Sequence, residues 1–373
     1  MADFTKVQEV LDQLHEKAGI PCCDVIVMQN HRQLYRYMTG VCDQEKTKPV
    51  SEQTEYYMYS CTKPVTVVTV MTLVERGLLQ LDDPVQKYIP AFAGAYVQKD
   101  GEKVVVGEKV TVWHLLTMTS GLSYDLRAPG LSAYLKENPA ADTAQLAQAF
   151  VLDPLSFAPG EQWQYGVSHD VLGAVVEAVS GKSFYAYMKE AVLDPVGMQH
   201  TAFAKKSELP PQMCAQYLWW GKYGFEYDMR NQYILTDNHQ CGGAGLYSTA
   251  QDYALFCDML ACGGVAQNGN RILKEETMRL ICTPQLNEAQ QATFYCSTGP
   301  GYTYGLGVRV RCDNQGHNGE FGWDSAAGAL VLADPALGLS IAYTQHVLHW
   351  YDLAGYIHRP LRDAVYRALG CEK

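Results

Sequence analysis

The segment Ser60-Cys61-Thr62-Lys63 places a hydroxyl and an amine three positions apart at the start of an apolar run. On a helix, residues so spaced share one face. A serine hydroxyl is a weak nucleophile until a neighbouring base takes its proton, and a lysine in a partly dry site serves once burial disfavours its charge. The pattern offers acyl-transfer chemistry, with Ser60 as nucleophile and Lys63 as activator. Val65, Val68, Met71, Thr72 and Val74 continue a helix-like run that closes at Gly77, a suitable C-terminal cap. Ser60 then falls at a helix N-terminus, where free backbone N–H groups favour the negative charge that develops in acyl transfer. A chain of this length shows about one such tetrapeptide by chance, so its partners must carry the argument.

The first partner is Tyr165. It follows Pro159-Gly160 and precedes a helical pattern from His169 to Val179, so it sits on a turn at a helix entrance. A free tyrosine titrates near pH ~10. Either a cation such as Lys63 stabilises its phenolate, or neutral Lys63 takes the serine proton and Tyr165 relays it. With 25 tyrosines in the chain, a plain hydrogen-bonded loop residue is the competing reading. A second candidate region runs from Met213 to Asn238, where Tyr217, Trp219, Trp220, Tyr223, Phe225, Tyr227 and Tyr233 crowd a segment without regular periodicity. These rings, Trp219 and Trp220 above all, either wall a substrate pocket or anchor a long loop.

The elements that must position these groups are legible in outline. A charged and apolar N-terminal stretch reads as a helix, and Asp24–Met28 with Gln33–Tyr37 reads as a hairpin. Helical signals dominate the middle: Val110–Met118, Ala141–Phe150, His169–Val179, Ser183–Val192 and Ala250–Leu260. Strands return at Tyr304–Val310, Ala327–Ala333 and Leu339–Thr344, followed by an amphipathic helix over Leu353–Leu369. The expectation is one catalytic unit over residues 1–373. A sheet lobe spans about 1–59 and 300–373, and a helical lobe about 60–299.

Composition narrows the function. A net charge of −11 without a Lys/Arg cluster argues against nucleic-acid and anionic-membrane partners. The N-terminus lacks the apolar core of a signal peptide, and no run approaches the ~20 apolar residues needed to span a bilayer, so the expected compartment is the cytoplasm. Twelve cysteines, including Cys22-Cys23, are then expected to be reduced and mostly buried. No C-x-x-C pair occurs, and His346 with His349 lacks a third ligand, so neither a metal nor a cofactor is expected. Cys61, beside the nucleophile, is expected to pack beneath its helix.

Taken in order, Tyr59–Pro64, Trp113–Leu122, Pro159-Gly160 before Tyr165, and Gly242–Ala250 resemble the serine β-lactamase-related family over nearly the whole chain. Within it the match looks most like the carboxylesterases and acyltransferases related to class C β-lactamases and D-alanyl-D-alanine carboxypeptidases. The resemblance implies an α/β (α+β) fold of the β-lactamase/transpeptidase type: an antiparallel sheet flanked by terminal helices, plus an all-helical lobe, with the active site between them. It also carries over Ser60, Lys63 and Tyr165 as nucleophile, base partner and proton relay.

The departures are informative. Val167 stands where related β-lactamases have the asparagine of the tyrosine motif, and Lys-Thr-Gly is absent. Two segments compete to replace it, Trp323-Asp324-Ser325 and His317-Asn318-Gly319. Trp323-Asp324-Ser325 is favoured because its spacing before Asp334-Pro335 is similar to the Trp-Gly-Gly of related esterases. His317 then falls at the cleft rim. On this alignment the N–H of Ala326 joins that of Ser60 as the oxyanion hole. An aspartate at the middle position would repel a substrate carboxylate if it faced the cleft, so the expected substrate is a neutral small-molecule ester or acyl donor. The expected activity is that of a serine carboxylesterase. The alternatives are an acyltransferase using the same acyl-enzyme, a D-aminopeptidase or amidase, a weak β-lactamase, and a non-catalytic ligand sensor.

Overall fold

The computed structural model describes residues 2–295, 300–312, 319–349 and 354–371. Helix α1 (Thr5–Ala18) ends at Gly19 in the left-handed region, and β1 (Cys22–Gln29) and β2 (Arg32–Gly40) then form the expected hairpin. Its turn residues Asn30 and His31 both take positive φ, 49° and 65°, as a tight turn matching the strand twist requires.

The C-terminal part adds β3 (Tyr302–Tyr304), β4 (Arg309–Arg311), β5 (Phe321–Asp324), β6 (Leu330–Asp334) and β7 (Leu339–Thr344). Among the described residues these seven strands make one antiparallel sheet in the order β3-β4-β5-β6-β7-β1-β2. The two ends of the chain therefore meet in the sheet, where Asp24 pairs with Thr344 and Gln29 with Leu339. Both faces are covered, and the alternation of side chains sorts the strands accordingly. Val25, Val27, Leu330, Leu332, Ile341 and Tyr343 pack toward α1 and the C-terminal helix, while Ile26, Met28, Val331, Ala333 and Ala342 face the helical region.

Several boundaries differ from expectation. Tyr304–Val310 is not one strand: it turns back on itself, with Gly305 N donating to Val308 O at 2.8 Å, to give β3 and β4. Ala327 and Gly328 belong to the turn before β6, where Gly328 has φ 100°. The C-terminal helix has its regular part at Arg359–Ala368, preceded by a wider turn over Ala354–His358. The middle region also holds short strands that sequence periodicity does not reveal. Glu55–Tyr57 pairs with Leu246–Thr249, and Tyr217–Trp219 pairs with Phe225–Tyr227. Strands of three or four residues are too short to establish an alternating pattern.

At the centre lies α2 (Thr62–Glu75), whose residues are buried without interruption from Thr62 to Leu73. A helix covered on all sides needs its polar groups satisfied by neighbours. Thr66 Oγ1 donates to Gly242 O at 2.7 Å, and Leu246 N donates to Thr62 Oγ1 at 3.1 Å. These bonds fasten the Gly242–Leu246 segment along α2. Helix α3 (Ser168–Ser180) packs on α2, and α4 (Ala250–Ala261) packs on the sheet across β1, β6 and β7.

Candidate active site

Ser60 occupies a single 3-10 turn, Tyr59–Cys61, that runs into α2. Tyr59 has φ 43°, the left-handed region that non-glycine residues rarely adopt. Its conformation is held because the ring is fully buried and Oη donates to Gln216 Oε1 at 2.6 Å. Tyr59 and Cys61 point inward and Ser60 between them stays half-buried. Cys61 packs as expected, its Sγ 3.9 Å from Trp323 O, and burial raises its thiol pKa well above the ordinary value.

The expected partners converge on the hydroxyl. Tyr165 Oη donates to Ser60 Oγ at 2.7 Å, and Lys63 Nζ donates to the same oxygen at 3.3 Å. Lys63 is fully buried, and its other bonds go to Gly243 O at 2.7 Å and Tyr124 Oη at 3.1 Å. Burial pushes its pKa down to about 8, against the opposing pull of Asp170. A substantial neutral fraction therefore exists just above neutrality. Burial drives the Tyr165 phenol far upward, more than its bonds to Ser60 and Trp323 restore. The arrangement thus favours neutral Lys63 as the base and Tyr165 as the relay, and disfavours a resident phenolate.

Trp323 lies in β5 with its ring stacked on Tyr165, 5.6 Å between centroids, and its Nε1 donates to Tyr165 Oη at 3.2 Å. The strand that carries it packs against the Ser60 turn. Ala326 follows in the β5–β6 turn, and among the described residues no acceptor takes its N–H or that of Ser60. Ser325 shapes this turn: its Oγ accepts Ala329 N at 2.9 Å. His317 lies outside the described residues. Val167 is buried in the core and Ser168 Oγ pairs with Ser120 Oγ at 2.9 Å, so neither supplies the missing amide.

Two expectations are corrected. Asp324 does not face the cleft: Trp323 takes that side of β5, and strand alternation turns Asp324 to the other. There it meets Arg309 Nη1 and His358 Nδ1, each at 3.7 Å, both residues being buried. The carboxylate balances a buried guanidinium instead of screening substrates. Asp324→Asn should leave the preference between neutral and carboxylate-bearing esters unchanged and cost about 1–3 kcal/mol of stability, measured by urea unfolding, because it removes a negative charge from beside the buried Arg309 and His358.

Trp219 and Trp220 also lie elsewhere. Trp219 packs on the core beneath α1 and the C-terminal helix, and Trp220 is 52% exposed with Nε1 donating to Glu226 Oε2 at 2.8 Å. Of that aromatic segment, Tyr233 reaches the site, with its ring 5.5 Å from Tyr124 and 5.9 Å from Tyr59. Trp219→Ala should therefore destabilise the fold by about 1–3 kcal/mol with KM unchanged. Tyr233→Ala should raise KM severalfold. Thermal unfolding alongside ester kinetics reads both.

Tyr124 escaped sequence reasoning. It follows the Ser120-Gly121-Leu122 signature by two residues, and that adjacency is the signal that marks it among the other tyrosines. His346 is structural: Nε2 accepts Tyr57 N at 3.2 Å and Nδ1 contacts Cys214 O at 2.8 Å.

A serine held between a buried lysine and a tyrosine, at the junction of an antiparallel sheet and a helical region, defines a serine hydrolase, and that is the class of this protein. Residues 7–365 match the family model described as Beta-lactamase, and the chain belongs to that family. It is 30% identical to Esterase EstB of Burkholderia gladioli, over 97% of this chain and 94% of that protein. It is 23% identical to ML-236A carboxylate methylbutanoyltransferase mlcH of Penicillium citrinum, over 88% of this chain and 84% of the relative. Unliganded simvastatin synthase LovD of Aspergillus terreus has the same fold, with a TM-score of 0.80 and 22% identity over 98% of each chain.

Proposed function

We propose that this protein is a carboxylesterase for neutral small-molecule esters that works through an acyl-Ser60 intermediate. The observation that carries the reading is the convergence of Tyr165 Oη and Lys63 Nζ on Ser60 Oγ, at 2.7 and 3.3 Å. Neutral Lys63 takes the Ser60 proton as Oγ attacks the substrate carbonyl, and the N–H groups of Ser60 and Ala326 hold the oxyanion. Tyr165, fixed by Trp323 Nε1, passes a proton to the leaving alcohol, and water then attacks the acyl group. The similarity to Esterase EstB over almost the full length of both chains supports ester cleavage.

The similarity to mlcH favours a second reading, in which an alcohol or amine replaces water as acceptor. The rings of Tyr124, Tyr165 and Tyr233 beside the serine suit partial exclusion of water. A cytoplasmic setting is part of the proposal. Nine of the described cysteines, Cys312 and Cys371 aside, are free thiols, as a reducing compartment allows, and no described helix is long and apolar enough to cross a membrane. The test is turnover of a chain-length series of p-nitrophenyl esters beside a chromogenic cephalosporin, with and without an alcohol acceptor. Fast ester cleavage with little cephalosporin turnover is expected. Ester formation outrunning hydrolysis when alcohol is present would shift the assignment to acyl transfer.

A further inference from the structure

One buried charge beside the site has no part in the steps above. Asp170 lies in the first turn of α3, is 2% exposed, and neither carboxylate oxygen has an aligned hydrogen-bond donor among the described residues. Keeping a buried carboxylate charged with no well-aligned donor is costly unless positive or polar groups stand close by. What separates it from Lys63 is the backbone of Gly243. A Cβ at that glycine would come within 2.8 Å of Asp170 Oδ2, 2.6 Å of Tyr124 Oη and 3.5 Å of Lys63 Nζ. Only glycine lets the carboxylate, the phenol and the amine close around one Cα.

The nearest basic side chain to Asp170 is His239, whose Nδ1 accepts Leu235 N at 3.3 Å, which places a ring proton on Nε2, 3.3 Å from Asp170 Oδ1. The same tautomer argues against a metal among Asp170, His239 and Cys241, although their ligand atoms lie within 4.8 Å of one another. A histidine bound to a metal through Nε2 uses Nδ1–H as a donor, and here Nδ1 accepts.

The other titratable groups facing Lys63 come from every element packed around it. Cys61 on its own turn, Tyr124, Tyr165 and Cys241 are pushed up by burial, and His169 on α3 is pushed down, so all are uncharged. Burial works against the Asp170 carboxylate too, but His239, Cys241 and Lys63 outweigh it and hold its pKa below the usual range.

We propose that Asp170 is a positioning residue for acyl transfer: across Gly243, its carboxylate is the fixed counter-charge for the ammonium that Lys63 becomes on taking the Ser60 proton. The inference rests on the acyl-Ser60 reading. In the step concerned, the Ser60 O–H bond breaks and its proton joins the Lys63 lone pair. The oxygen's electrons form the bond to the carbonyl carbon, and the carbonyl π pair moves onto oxygen. The positive charge created on Lys63 is met by Asp170, and the negative one by the oxyanion donors.

Asp170→Asn keeps the shape and removes the charge. The rising limb of kcat/KM for p-nitrophenyl butyrate should move to lower pH, and its plateau should fall on the order of tenfold with KM little changed, because the ammonium is no longer countered. The ¹³Cε resonance of Lys63, assigned by its loss in Lys63→Met, should titrate at lower pH in Asp170→Asn whether or not turnover is detected. A moved resonance in a protein that shows no Ser60-dependent turnover would sustain the counter-charge and remove the esterase reading. Asp170→Ser is the second variant. An unmoved limb and an unmoved resonance in either folded variant would overturn the proposal, and so would loss of folding in both, which would make Asp170 a structural group.

Discussion

Ser60→Ala should lower kcat/KM for p-nitrophenyl butyrate by on the order of 10⁴-fold, leaving only what binding and the oxyanion donors contribute. The expectation follows from placement. Ser60 is the hydroxyl on which Lys63 and Tyr165 both converge, and among the described residues no other serine stands in that relation to them. Stability should hardly change. Ser60 is half-buried in a turn fixed by its neighbours, with Tyr59 bonded to Gln216 and the Cys61 carbonyl accepting Tyr253 Oη at 3.0 Å. Equal thermal midpoints with unequal kinetics would separate catalysis from folding. Residual activity within tenfold of the native protein would remove Ser60 from the mechanism.

Lys63→Met is expected to reduce turnover by about 10³-fold, and the native pH profile should show why. The Lys63 pKa is lowered to about 8, so its neutral, proton-accepting form grows as pH rises from neutrality and saturates above that value. The logarithm of kcat/KM should climb with unit slope and level off near pH 8. A profile flat from pH 6 to 9 would contradict a lysine base.

The same displacement has a stability consequence of known sign. The unfolded chain holds the lysine proton up to its ordinary pKa, while the folded chain releases it from about 8. Between those values the unfolded state binds more protons, and the fold gains stability with rising pH. The buried ammonium therefore costs the native fold roughly 3 kcal/mol at neutral pH. Lys63→Met should be favoured over the native protein most at pH 7, and the difference should shrink by pH 10 in urea unfolding.

Where the chain repeats a chemical pattern in order, the sequence was enough. Ser60 and Lys63 are tied by helix geometry, and Tyr165 precedes a helix with a strong apolar face, so all three arrive together. The terminal strands β1, β2 and β7 were legible as runs of five or more residues rich in apolar, β-branched and aromatic side chains bounded by turn signals. Phe321–Asp324 was not recognised as a strand, and that omission misdirected Asp324. Once Trp323 is known to face the serine, alternation sends its neighbour to Arg309. Ring density between Met213 and Asn238 signalled an aromatic segment but carried no direction. Tyr233 turns to the serine and Trp219 to the terminal helices, because a short hairpin set by long-range pairing decides between them. Asp170 gave no signal at all, since its importance lies in the absence of a side chain at Gly243, far along the chain.

The central claim is that Ser60 becomes acylated, and the most direct measurement is mass spectrometry of the intact protein after reaction with an activated alkyl phosphonate, followed by peptide mapping. One adduct per chain is expected, located on Ser60 and forming faster as the pH rises toward 8. Ester hydrolysis that continues at full rate with no adduct, or with the adduct on a different residue, would contradict it.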